Sequence, residues 1–128
     1  LDFVHDNMVY IHDVDDYIKS PLETLVEGCG DCEDLSVLYG AILTKLNYEI
    51  KYVFLSKISG DTTEHLIPCV LGDFKGDSIQ SKGKNYFFAE PGGTSEPNNP
   101  AKYKIGRNPV DYDRVKNRKY RIYSVKKP

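Results

Sequence analysis

The residues best suited to chemistry lie in one turn, Gly28-Cys29-Gly30-Asp31-Cys32-Glu33-Asp34, and in a histidine well downstream, His65. A cysteine attacks a carbonyl as the thiolate, so it must sit where the ionised form is favoured. The first turn of a helix supplies part of that environment through unpaired N–H groups and the helix dipole. Cys32 stands at such a point, behind two glycines that let the backbone bend sharply and expose the sulfur. A neighbouring imidazole supplies the rest, and a carboxylate or amide fixes its tautomer. Of the three histidines, His5 and His12 precede the turn, whereas His65 lies among apolar residues in a predicted strand. If the strand beginning at Asn85 pairs beside it, Glu90 ends close to the imidazole. The expected set is therefore Cys32 as nucleophile, His65 as base and Glu90 orienting the base, with the Cys32 backbone N–H as one oxyanion donor.

The same turn raises an electrostatic objection. Asp31, Glu33 and Asp34 surround Cys32 with carboxylates, which oppose a thiolate unless they point away, are paired or bind a cation. Other chemistries compete for these residues. Cys29-x-x-Cys32 with His65-x-x-x-Cys69 is a Cys-Cys-His-Cys set that could hold structural zinc. Against it, one pair straddles the entrance of a long helix and the other lies on a strand interrupted by Pro68. A redox C-x-x-C expects a preceding βαβ pattern, and none is present. Gly28 and Gly30 are not a phosphate loop, because no lysine follows and the acidic run repels phosphate.

Several elements must position this set. Phe3, Val4, Met8 and Ile11 give a helical spacing from Leu1 to Ile11. The stretch from Asp13 to Ser20 is polar and reads as a loop, and Pro21 then opens a short helix that Gly28 and Gly30 terminate. The clearest helix runs from Cys32 to Leu46, with Leu35, Leu38, Tyr39, Ile42, Leu43 and Leu46 at steps of three and four. Asp31 is its N-cap candidate, and Asn47 supplies a stop. Strands are expected from Glu49 to Ser56, Glu64 to Leu71, Asn85 to Glu90 and Tyr120 to Val125, with the polar stretch from Gly72 to Lys84 as a separator. From Pro91 to Pro109 the many Pro, Gly and Asn residues indicate loop. Helices first and an antiparallel sheet afterwards make an α+β layout.

Composition limits the function classes. With 128 residues, 40% of them hydrophobic and 28% charged, the chain is a single globular domain. A net charge of −2 gives no electrostatic case for nucleic acid or anionic lipid. Arg107, Arg114, Arg118, Lys119 and Arg121 form a locally basic region without a stacking platform, which reads as solvated surface. No apolar run has the length of a membrane span, so no membrane contact is expected within this stretch. The chain opens directly in what reads as a helix, so a targeting segment upstream remains compatible and the compartment stays open. Three cysteines leave at least one thiol unpaired.

Two runs carry a family resemblance: Pro21-Leu22-Glu23-Thr24-Leu25, and Gly28 through Asp34 followed by an apolar helix. Together with a strand bearing His65 and the later Glu90-Pro91, they resemble the nucleophile segment of bacterial and archaeal transglutaminase-like domains. The similarity covers roughly Phe3 to Pro91. It departs from the pattern in having Glu90 where aspartate is usual, and Leu66-Ile67 where an aromatic usually follows the histidine. The resemblance implies a papain-like core, N-terminal helices packed on an antiparallel sheet, and a Cys-His-acid triad acting on a protein or peptide substrate. It implies one domain over 1–128, with the core at about 3–91 and a C-terminal extension at 92–128. Asn7 and Tyr10 fall where the family carries polar residues facing the active site. One branch binds calcium through the D-C-E-D turn, to which Asp31, Glu33 and Asp34 correspond; otherwise no cofactor is required. A peptidase or amidase is the first expectation, because a cross-linking enzyme needs a protected tunnel for its second substrate. A cross-linking transglutaminase and a non-catalytic binding module on the same fold, metal-stabilised or not, are the alternatives.

Overall fold

A computed structural model describes residues 1–11, 17–55, 65–91, 105–106 and 120–124. His12, Arg107, Arg114, Arg118 and Lys119, together with nearly all of the stretch from Pro91 to Pro109, lie outside the described residues. The described elements are α1 (Asp2–Asn7), β1 (Val9–Tyr10), α2 (Pro21–Glu27), β2 (Cys29–Gly30), α3 (Cys32–Lys45), β3 (Ile50–Leu55), β4 (His65–Leu71), β5 (Ser78–Ser81), β6 (Lys84–Phe88) and β7 (Tyr120–Ser124). The architecture is α+β, helices followed by a curled antiparallel sheet. No described helix is long and apolar enough to cross a membrane.

The first helix is shorter than its spacing suggests. It ends at Asn7, where Met8 turns extended, and Val9–Tyr10 becomes a strand parallel to β2. Tertiary pairing overrides the helical pattern here: Val9 and Ile11 donate their N–H groups to the carbonyls of Gly28 and Gly30, each over 2.9 Å. Helix α2 follows its local signals closely. Ser20 accepts from the Glu23 N–H, Pro21 occupies the first turn, and Gly28 closes the helix at φ +72°, a left-handed cap that suits glycine. Helix α3 begins on a capping box formed by Asp31 and Asp34, and Asn47 turns left-handed (φ +67°) just beyond its end.

Five strands lie in the order β5-β6-β4-β3-β7, all antiparallel. β5 occupies part of the stretch expected to be only a separator. A single apolar residue, Ile79, gave it little periodicity, but Lys82 and Gly83 both take positive φ and close a tight hairpin onto β6. Strand β4 runs straight through Pro68. The missing proline N–H falls on the β6 side at the end of that ladder, where the Pro68 carbonyl accepts from Ala89 at 2.9 Å.

Two apolar clusters hold the layers. Val4, Leu35, Tyr39, Leu43, Ile50, Val70 and Ala89 join the helices to the sheet. Val53, Ile67, Cys69, Ile79, Tyr86 and Phe88 form a second cluster from alternate positions of the strands. The helix–sheet contact is tight at Gly40, where an added Cβ would meet the Tyr52 hydroxyl oxygen at 1.8 Å and Ile50 Cδ1 at 2.8 Å. Gly40→Ala is therefore expected to destabilise the fold by about 1–3 kcal/mol despite alanine's better helix propensity. Equilibrium urea unfolding checks this: the midpoint should fall, whereas an unchanged or higher midpoint would show that the layers can part without cost.

Candidate active site

The junction of β2 and α3 places Cys32. Gly30 allows it, because a Cβ there would meet Asp34 Cβ at 2.6 Å. Asp31 Oδ1 accepts the N–H groups of Glu33 and Asp34, each at 3.0 Å, and Asp34 Oδ2 returns to accept the Asp31 N–H at 3.1 Å. Asp34, fully buried, also takes the Lys19 N–H at 2.8 Å through Oδ1. Lys19 reaches the same turn with its ammonium, which bonds the Cys29 carbonyl at 2.9 Å and pairs with Glu27 at 2.6 Å. The two aspartates beside the thiol are thus acceptors for main-chain N–H groups. Burial raises the Asp31 carboxyl above its ordinary range, opposed by the backbone hydrogen bonds it accepts. Among the described residues no set of three His, Cys, Asp or Glu side chains could hold a metal ion.

Strands β4 and β6 place the other two residues. His65 opens β4, and its Nε2 lies 2.5 Å from Glu90 Oε2. Continuing the β4–β6 register beyond Cys69 and Phe88 sets Glu90 opposite Ile67, two residues from His65 on the same side of the strand. That diagonal is about 7–8 Å between backbones in an antiparallel ladder, within reach of a glutamate. The longer side chain therefore suits this register where a shorter carboxylate is the usual partner. Glu90 is 2% exposed. Because Nε2 faces the carboxylate, Nδ1 is the ring nitrogen left for the sulfur. The Cys32 side chain lies close enough to His65 to interact with it by both hydrogen bonding and charge.

These partners decide the charge of the imidazole. Burial alone would push its pKa down, but the hydrogen bonds the protonated ring donates to Cys32 and Glu90, and their charges, outweigh it, moving His65 from 6.5 up to about 10. A tie between the two elements fixes their spacing. Ser36, one turn after Cys32 and fully buried, donates from Oγ to the carbonyl of Leu66, the residue after His65, at 2.8 Å. Neither end of this tie is recognisable in the sequence, where Ser36 is one polar residue on an amphipathic helix.

Tyr10 belongs to the constellation and Asn7 does not. Tyr10 sits on β1 beside Gly30, and the charges of Cys32, Asp31 and Glu90 act on its hydroxyl. Burial, followed by those charges, pushes it up to about 12, so it keeps its proton and remains a donor. Asn7 is exposed and donates to the Phe3 carbonyl of its own helix at 2.8 Å. Cys69 is buried in β4 and its thiol is raised, mainly by burial and then by the charge of Glu90. A groove of about 450 Å³ between α2 and α3, walled by Leu22, Leu25, Leu38 and Ile42, is lined by none of Cys32, His65 and Glu90.

A family model described as a transglutaminase-like domain matches residues 2–71, more than half of the chain. That stretch includes Cys32 and His65 but ends before Glu90. No curated protein and no solved structure matches the chain.

The raised imidazole has a consequence for stability. Folding increases its affinity for the proton, so the pair's contribution is complete below pH 6.5 and is lost as pH rises through about 10. Glu90→Gln is expected to lower the melting temperature clearly at pH 6 and much less at pH 10.5. Parallel melting curves that stay equally separated at both pH values would show that the carboxylate acts by packing alone.

Proposed function

Because the chain belongs to the transglutaminase-like domain family, we propose that it is a thiol-dependent acyl-transfer enzyme on a papain-like core, acting as a cysteine peptidase or amidase. One observation carries the reading: an imidazole bonded at 2.5 Å to a buried carboxylate and acted on by the thiol at the start of a helix. In the neutral tautomer, Nε2–H donates to Glu90 and the Nδ1 lone pair accepts the Cys32 proton, giving a thiolate–imidazolium pair. The thiolate adds to the substrate carbonyl carbon, and the carbonyl's π electrons move onto its oxygen. Collapse of that oxyanion expels the amine, which takes the proton from His65 and leaves a thioester. Water then attacks the thioester, gives its proton back to the imidazole and releases the acid and the thiol. These steps use side chains and backbone only and require no cofactor.

Two donors are available for the oxyanion. The Cys32 N–H is at the first position of α3, and the capping box binds the amides after it, leaving that donor to point forward. The Tyr10 hydroxyl, which keeps its proton to about pH 12, is the second. We propose hydrolysis over transfer to an amine, because water needs no second-substrate site beside the thioester. The substrate is then a protein or peptide.

Two measurements test the proposal. Iodoacetamide labelling, followed by mass spectrometry, should alkylate Cys32 much faster than the other two thiols. Labelling should be slow at the buried Cys69, and His65→Gln should remove the advantage of Cys32. Equal, slow labelling of all three cysteines would sink the proposal. On any amide substrate identified, Tyr10→Phe should reduce kcat by about 10²-fold, the scale of losing one oxyanion donor, with KM little changed. A loss confined to KM would assign Tyr10 to substrate binding instead.

A further inference from the structure

The carboxylate of the constellation sits where the sheet stops holding the chain. Phe88 is the last residue of β6, and Ala89 gives the last N–H into β4. Glu90 is the next residue, so the ladder that sets its approach to His65 has just ended. From the far end of the sequence, α1 meets it there. Val4 is 1% exposed and packs in the same apolar cluster as Ala89. The next residue of α1, His5, places Nε2 at 2.8 Å from the Glu90 main-chain carbonyl.

The two nitrogens of His5 show why a histidine occupies this place. A carbonyl only accepts, so Nε2 carries a proton, and in the neutral ring Nδ1 is a bare lone pair. That Nδ1 is buried and has no hydrogen-bond partner. Buried polar atoms are nearly always paired, so an unpaired one is a cost with a reason behind it. An apolar ring of the same size would fill the space without that cost. What it would lack is the N–H on Glu90.

Resting on the reading of Cys32, His65 and Glu90 given above, we infer that His5 is a positioning residue. Its Nε2–H pins the Glu90 carbonyl, and so fixes the point from which the Glu90 carboxylate meets His65. His5 acts through the main chain and touches neither sulfur nor imidazole. The groups that act on the His65 ring are Cys32 from α3 and Glu90 after β6; the charges of Cys32, Asp31 and Glu90 act in turn on Tyr10 from β1.

The test is the His65 imidazole titration by NMR, with Cys32 alkylation against pH and melting temperature measured on the same variants. The side-chain nitrogen of glutamine lies about where Nε2 lies, whereas asparagine's lies nearer Nδ1, and phenylalanine keeps the ring without the donor. His5→Gln should leave the His65 midpoint at its wild-type value. His5→Phe and His5→Asn should lower it by about one unit, in the direction Glu90→Gln moves it further, and slow Cys32 alkylation at pH 6 about tenfold. If His5→Phe reduces the melting temperature while the His65 midpoint stays in place, His5 is a packing residue and the inference fails. Loss of the midpoint in His5→Gln as well would also overturn it. Should wild-type Cys32 react as an ordinary thiol, the acyl-transfer reading fails on that result. The His65 midpoint, which needs no reactive thiol, still decides the role of His5.

Discussion

A buried imidazole that carries a proton is the constraint around which this structure is organised. Desolvation opposes the charge, and an unpaired buried cation would simply release its proton. His65 keeps it because two opposite partners converge on one ring from elements remote in sequence, the start of α3 and the end of β6. Convergence of that kind needs strict spacing. The β4–β6 register sets the diagonal that Glu90 spans, and the Ser36–Leu66 bond sets the height of α3 over β4. A slip of one residue in that ladder would turn the carboxylate to the opposite face and leave the imidazole without it.

The acidic turn around the thiol follows from a different requirement. A helix that begins at Cys32 leaves its first N–H groups without intrahelical partners, and these must be satisfied without covering the sulfur. Asp31 and Asp34 do this reciprocally, and Asp34 also holds the Lys19 amide, tying the chain before α2 to the turn. Carboxylates that looked opposed to a thiolate in the sequence are spent on main-chain donors in the fold. Lys19 adds a cation on the outer side, against Glu27 and the Cys29 carbonyl.

How much of this was legible in the sequence depended on whether a feature was local. Helix α3 announced itself through its stripe of apolar residues and its Asp31 and Asn47 boundaries, and the long strands β3 and β4 through their β-branched and aromatic content. Cys32, His65 and Glu90 were readable because each has a residue type suited to the chemistry and stands at an element boundary. What escaped was non-local. β1 is two residues whose strand character exists only in its pairing with β2, and its turn away from a helix is what carries Tyr10 to the thiol. β5 holds one apolar residue and depends on the Lys82-Gly83 hairpin. His5 looked like a rival to His65, and nothing in the spacing of residues 5 and 90 foretells its contact with Glu90.

The strand order carries a consequence for how the molecule comes to life during synthesis. Of the five-stranded sheet, the stretch matching the family, residues 2–71, supplies only the adjacent strands β3 and β4; β6 and β7, which flank them, emerge later. Cys32 and His65 both lie within that stretch, while the carboxylate that meets the imidazole arrives nearly twenty residues after β4 is complete. Until β6 zips against β4, the imidazole lacks the counter-charge that strengthens its hold on the proton. The His65–Glu90 pair therefore forms only with closure of the sheet.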